Sequence, residues 1–298
     1  MNNSAQSDPE RFFRTDTVRA DIKGRTIRGG LVTALAQDVK QGLALVTVII
    51  LSRLLTPEDT GLFAMILVII GFNNLISDLG LSVATIQRPD INQAQASALF
   101  WLNALLGLGL SILTALSAPL VAWFYGEARL TEPTLVIAIT FLIAALSVQH
   151  RALLRRQMRF TPLAAIEIVS GVVSAIVGIV GALLGWSYWA LVWMQFIIAP
   201  IQLIGSWMTC PWKPDPPRPA QGVGAMVSFG MNLTGFRIVN YISRNLDNVL
   251  LGFFYGAVQL GLYTRAYSLL VLPLGRINEP LASVAIPALS RLAGEPEQ

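Results

Sequence analysis

Apolar runs that exceed the ~18 residues marking a transmembrane candidate recur along most of the chain, and nothing constrains its fold more. Inside lipid every backbone N–H and C=O needs an internal partner, which leaves helices or closed barrels. The ~10-residue alternating segments of a barrel are missing. Only 13% of the residues are charged, against ~25% in an ordinary soluble domain. The expected fold class is therefore all-α, a polytopic helical membrane protein.

Eight spans are expected: Gly29–Leu55, Leu62–Ile86, Ala94–Tyr125, Thr134–Val148, Pro162–Leu184, Tyr188–Met208, Val223–Tyr255 and Leu260–Leu289. Residues 1–28 form a polar, basic tail with no cleavable leader pattern. Residues 29–209 hold six spans, a first lobe. Residues 210–222 carry Pro211, Pro214, Pro216, Pro217 and Pro219, so they read as a stiff linker. Residues 223–298 begin a second lobe of two spans. Thr56 before Pro57, Glu58 and Asp59 predicts a capped helix start with charges that suit the dipole. Pro200 predicts a kink in the sixth span, and Pro273, Pro280 and Pro287 predict bends in the eighth.

The net charge of +4 is small, and its placement matters more. The tail, Arg88, the Arg151, Arg155, Arg156 and Arg159 cluster, and Lys213 with Arg218 all fall on one side of the expected topology. Arg53 and Arg129 fall on the other. By the positive-inside rule the tail side is cytoplasmic. Basic residues spent on topology argue against nucleic acid as a partner. The single cysteine, Cys210, excludes an intrachain disulfide, and the single histidine, His150, excludes a multi-histidine metal site. No cofactor is implied.

The run Val223–Gly256 breaks the apolar pattern with Arg237, Arg244 and Asp247. Arg237 and Arg244 are seven apart and share a helical face. An arginine at membrane depth costs ~2.5–3.5 kcal/mol on insertion scales, so such residues usually face a bundle interior or wet cavity. Arg244 has a second reading, since Asp247 at i+3 is placed to neutralise it. Asp38 and Lys40 interrupt the first span, and Glu167 the fifth; each has the plainer reading of a residue near the interface. Trp186, Trp189 and Trp193 read mainly as interfacial anchors.

The chain also repeats itself at an offset of 200 residues. Gly61-Leu62-Phe63 aligns with Gly261-Leu262-Tyr263, each between two spans. Six spans separate the copies, so the lobes share an orientation and enclose a site between them. A second lobe of two spans cannot close a cavity, and a longer protein is expected.

Several motifs carry a family resemblance. Ser52–Gly61, Asp78-Leu79-Gly80-Leu81-Ser82, Leu99–Asn103, His150–Arg156 with Arg159-Phe160, Asn245–Asn248, Tyr263–Tyr267 and Pro287–Leu292 resemble segments of bacterial polysaccharide-export flippases. These are the polysaccharide branch of the multidrug, oligosaccharidyl-lipid and polysaccharide exporters. The resemblance implies a two-lobe exporter fold and twelve or more helices in a whole member. It implies flipping of undecaprenyl-diphosphate-linked oligosaccharide across the bacterial inner membrane, driven by proton or sodium antiport. Partners would be that lipid, the membrane and other polysaccharide assembly proteins.

On that reading Arg237, Arg244 and Lys40 are the substrate-binding residues, because a guanidinium fork matches a diphosphate. Asp38, Asp247 and Glu167 are the coupling-ion residues. A multidrug or small-molecule cation antiporter of the same superfamily is the first alternative, though the cationic set disfavours it. A membrane polymerase or glycosyltransferase is the second. The outer turns carry only Glu58, Asp59, Glu127 and Glu132, and no nucleophile constellation or phosphate-binding glycine loop is present, so no enzyme is expected.

Overall fold

A computed structural model describes residues 22–77, 80–87, 91–218, 224, 239–268 and 270. Expectations for residues 1–21 of the basic tail, for Asp78, Arg88 and Arg237, and for the three C-terminal prolines lie outside those residues, whereas residues 22–28 of the expected tail are helical and continue into the first span. Among the described residues there is no strand. Helices α1 (Ile22–Leu54), α2 (Pro57–Ile76), α3 (Leu81–Gln87), α4 (Gln93–Tyr125), α5 (Thr131–Arg156), α6 (Phe160–Leu183), α7 (Trp189–Phe196) and α8 (Ile198–Thr209) follow in order. Residues 239–268 are also helical, and Gly256 lies within them at φ 77°. No straight helix contains that angle, so the segment is taken as α9 (239–255) and α10 (257–268).

Five of these stretches are long and apolar enough to cross a membrane: Arg28–Leu54, Gln93–Tyr125, Ala128–Arg156, Phe160–Leu183 and Trp189–Thr209. Their outward faces suit lipid. Along α4, Leu105, Leu113, Leu116 and Leu120 are all more than 60% exposed. A stripe of that kind is stable against acyl chains and not against water. Trp123 and Trp186 are exposed at one end of the bundle and Trp101 and Trp207 at the other, as two aromatic belts would be.

Three further boundaries differ from the sequence expectation, each for a local reason. The second expected span is two helices, because Gly80 takes the left-handed region at φ 68° before α3 begins. The fourth runs on through Arg156, since no breaker follows Val148, and Arg151 to Arg156 form helix rather than loop. The sixth divides at Ile197, because Pro200 has no N–H for the Phe196 carbonyl. The start of α2 matches expectation. Thr56 accepts from the Asp59 N–H and Asp59 accepts from the Thr56 N–H, a complete capping box.

The helices run up and down, so the turns gather at two ends. At one end Arg129 donates to Glu58 at 2.7 Å and to Glu127, and Ser187 donates to Asp59. Glu58 thus pairs with Arg129, and among the described residues no ion pair joins it to its near neighbour Arg53. At the other end the proline-rich segment is not a free spacer. Trp212 is 2% exposed; its indole donates to Gln93 at 2.6 Å, and its carbonyl meets His150 Nε2 at 3.1 Å. Trp101 donates to the Asp215 carbonyl at 2.8 Å, and the Asp215 N–H donates to Ser97. Arg151, Arg155, Arg156, Arg159 and Lys213 all belong to this half of the bundle, which keeps the charge asymmetry read from the sequence.

Candidate functional site

A concavity lies where α1, α2, α6, α7 and α10 meet. Its volume is about 470 Å³, and Thr47, Phe63, Ser174 and Met194 are among its walls. The lining is mostly apolar. Among the described residues, two charged groups border it: Lys40 on α1 and Arg265 on α10. A mostly apolar pocket with a few placed polar groups is the usual form of a ligand site.

Small residues create the space. Ser174 sits one turn after Gly171 on α6, and its hydroxyl turns to the Met194 carbonyl at 2.7 Å. That bond satisfies a carbonyl near the break between α7 and α8. Thr47 likewise donates to the Leu43 carbonyl, so its hydroxyl is satisfied within its own helix.

Lys40 is held by a network. Its ammonium donates to Glu167 Oε2 at 2.8 Å, and Arg151 donates to Glu167 Oε1 at 3.1 Å. Arg151 also donates to Gln202 at 2.8 Å. One carboxylate thus bridges two cations from α1 and α5, and the set carries one net positive charge. Two of the residues named from the sequence, Lys40 and Glu167, are brought together. So is Arg151, which the sequence suggested as part of a basic cluster, a topology anchor with docking of a lipid head as the sharper reading.

Arg265 stands at the opposite end of the cavity. Its guanidinium donates to the carbonyls of Ser52 at 3.3 Å, Leu55 at 2.7 Å and Thr56 at 2.8 Å. The Ser52 and Leu55 carbonyls lie at the end of α1, where the dipole is negative, whereas the Thr56 carbonyl also accepts from the Thr60 N–H in the first turn of α2. From Lys40 to Ser52 is about 18 Å along the helix at 1.5 Å per residue. The cavity therefore has a cation near each end of that length. Arg265 was quoted in a sequence motif but not named as a site residue. Its partners lie more than 200 residues away in the chain, and no spacing rule reaches that far.

The other named residues sit elsewhere. Arg244 and Asp38 are exposed. Asp247 accepts from the Tyr263 hydroxyl at 2.6 Å, across the α9–α10 hairpin. Its recorded partners are that hydroxyl and the Asn248 N–H, and the described residues show no ion pair to Arg244.

The repeat read from the sequence meets itself in space. A Cβ on Gly61 would overlap the Ala257 carbonyl, and a Cβ on Gly261 would overlap the Pro57 carbonyl. The two contacts are related by the same 200-residue offset, 61 with 257 and 261 with 57. The start of α2 and the start of α10 cross backbone against backbone, with each glycine facing the other copy's first turn.

The profile of the polysaccharide biosynthesis protein family matches residues 50–298. The chain belongs to that family. Its relatives include the teichuronic acid biosynthesis protein TuaB of Bacillus subtilis, 32% identical over 74% of this chain and 46% of that protein. The lipopolysaccharide biosynthesis protein WzxC of Escherichia coli is 26% identical over 93% of this chain and 57% of its own length. The succinoglycan biosynthesis transport protein ExoT of Rhizobium meliloti is 25% identical over 95% and 57%. The chain spans about half the length of the curated relatives it matches. No solved structure matches.

Proposed function

We propose that this protein moves an undecaprenyl-diphosphate-linked oligosaccharide across the bacterial inner membrane for O-antigen or exopolysaccharide synthesis. The observation that carries the reading is the cavity between the two repeats, with Lys40 and Arg265 at its ends and, among the described residues, no carboxylate in its wall. Membership of the family and relatives named for polysaccharide biosynthesis and transport support it. A cationic amphiphile would find two like charges there, which disfavours the small-molecule antiporter.

Lys40 and Arg244, with Arg237, are the proposed contacts to the diphosphate. Glu167 is the coupling carboxylate placed best for exchange. A proton or sodium ion arriving there weakens its hold on Lys40 and frees the ammonium for the cargo. Asp38 and Asp247 are the other proposed coupling groups. The tail and linker side is cytoplasmic, and a two-lobe arrangement with eight spans in this chain completes the topology.

The test is complementation of an export-deficient strain, scored as surface polysaccharide at matched protein level. Lys40→Ala should lower export about tenfold, the weight of one charge-assisted contact. Normal export from Lys40→Ala, Arg237→Ala and Arg244→Ala alike would overturn the cationic-site reading.

A further inference from the structure

Arg265 does two things that no cap alone requires. It ties the second repeat to the first, since α10 reaches over to the carboxyl end of α1. It also borders the cavity, and its Nε–H is buried without a hydrogen-bond acceptor. A buried, unfilled donor on a cation beside a concavity is an open position for an anion. Next to it, the Gly61 and Gly261 crossing holds the two repeats at backbone contact. Three neutral carbonyls are weaker acceptors for a guanidinium than a phosphate, whose bonds to it are charge-assisted and bidentate.

We infer that Arg265 is an anion-released latch: it holds the repeats together at the glycine crossing, and a diphosphate in the cavity draws the guanidinium away and lets them part there. The ligand rests on the transport reading of the preceding subsection, whereas the latch does not. Without anion the tied state dominates, because opening strands the Ser52 and Leu55 carbonyls at the end of α1, removes one of the donors to the Thr56 carbonyl, and leaves Arg265 unpaired beside apolar wall. With anion the guanidinium exchanges its acceptors, and the cost of separation falls. Loading of the cavity then favours opening at the Thr56 end.

The test is a distance measurement between nitroxide labels on Leu54→Cys and Phe254→Cys, both exposed positions that flank the crossing on either repeat. The intact protein is used in proteoliposomes with Cys210→Ser as background. In the absence of ligand one short distance should dominate, with any longer distance at about 10% or less. Arg265→Ala should make the longer distance the majority without ligand. Undecaprenyl diphosphate should do the same to the wild type and add nothing to Arg265→Ala. If Arg265→Ala does not accumulate, Gly261→Ala opens the crossing by overlap with Pro57 while leaving the charge in place, and should also lengthen the distance. An Arg265→Ala distribution identical to wild type overturns the latch, and a wild type indifferent to undecaprenyl diphosphate overturns its release by anion. A protein that latches and responds yet moves no lipid-linked sugar leaves the inference standing and sinks the transport reading instead.

Discussion

The turn at 54–61 and the turn at 254–261 occupy the same place in two copies of one pattern, yet they are built from different chemistry. The first uses Thr56 and Asp59 in a capping box, Pro57 in the first helical turn, and a further bond from Ser187 to Asp59. The second uses Gly256 in the left-handed region, where no side chain is needed. What the two copies share is Gly61 and Gly261, and each of these meets the opposite copy's first turn. The copies also differ in the polar groups behind the turns. Thr47 in the first copy bonds its own helix, whereas its mate Asp247 accepts from the Tyr263 hydroxyl in the next helix.

The largest effects should come from the shared residues. Gly61→Val and Gly261→Val each force branched side chains into a backbone carbonyl, and each should destabilise by ~3 kcal/mol or more, read as thermal unfolding in detergent. Equal, non-additive losses in the double variant would show that both sit in one contact. Small effects at either site would dissolve the symmetric crossing.

Glu167→Ala comes next. It removes the partner of two cations, and the half-buried position sets the loss at ~1–3 kcal/mol. Lys40→Ala with Glu167→Ala together should cost less than the sum of the single changes, since the pair then leaves together. Full additivity in the same unfolding measurement would mean the bridge carries nothing.

The turn residues should matter least, and differently. Gly256→Ala places a side chain in the left-handed region at ~1–2 kcal/mol. Thr56→Ala loses a cap at ~1 kcal/mol. A transplant sharpens the contrast: Asp59→Asn keeps an acceptor at the cap and should cost less than Thr56→Ala. The reverse order would show that the charge at the helix start outweighs the cap.

Much of this was legible before any coordinates. The spans at 94–125 and 162–184 came from apolar length alone, and the structure moves their ends by at most two residues. Thr56, Pro57 and Asp59 announce a helix start because capping is a local matter. The glycine repeat was legible too, but only as an echo in the chain, and its meaning as a crossing needed three dimensions. Arg265 shows where reading stops. Its carbonyl partners carry no side-chain signature, so nothing in the sequence marks them as acceptors. The Lys40, Glu167 and Arg151 bridge failed for a related reason: each residue had a good local explanation at an interface or in a topology cluster. The breaks at Gly80 and Ile197 were hidden within runs apolar enough to read as single spans, although Pro200 already marked a kink in one of them. Helix continuation through Arg156 was masked by its charge, which reads as loop unless the absence of a breaker is weighed as well.

The central claim is that the cavity between the repeats passes a lipid-linked diphosphate sugar through the bilayer. The direct measurement uses purified intact protein in sealed proteoliposomes loaded with fluorescent undecaprenyl-diphosphate oligosaccharide, scored by how much becomes reachable to a membrane-impermeant quencher. The account predicts protein-dependent exchange between leaflets, cut about tenfold by Lys40→Ala. Exchange no faster than in protein-free vesicles under an imposed proton or sodium gradient, together with uptake of a cationic amphiphile, would contradict it.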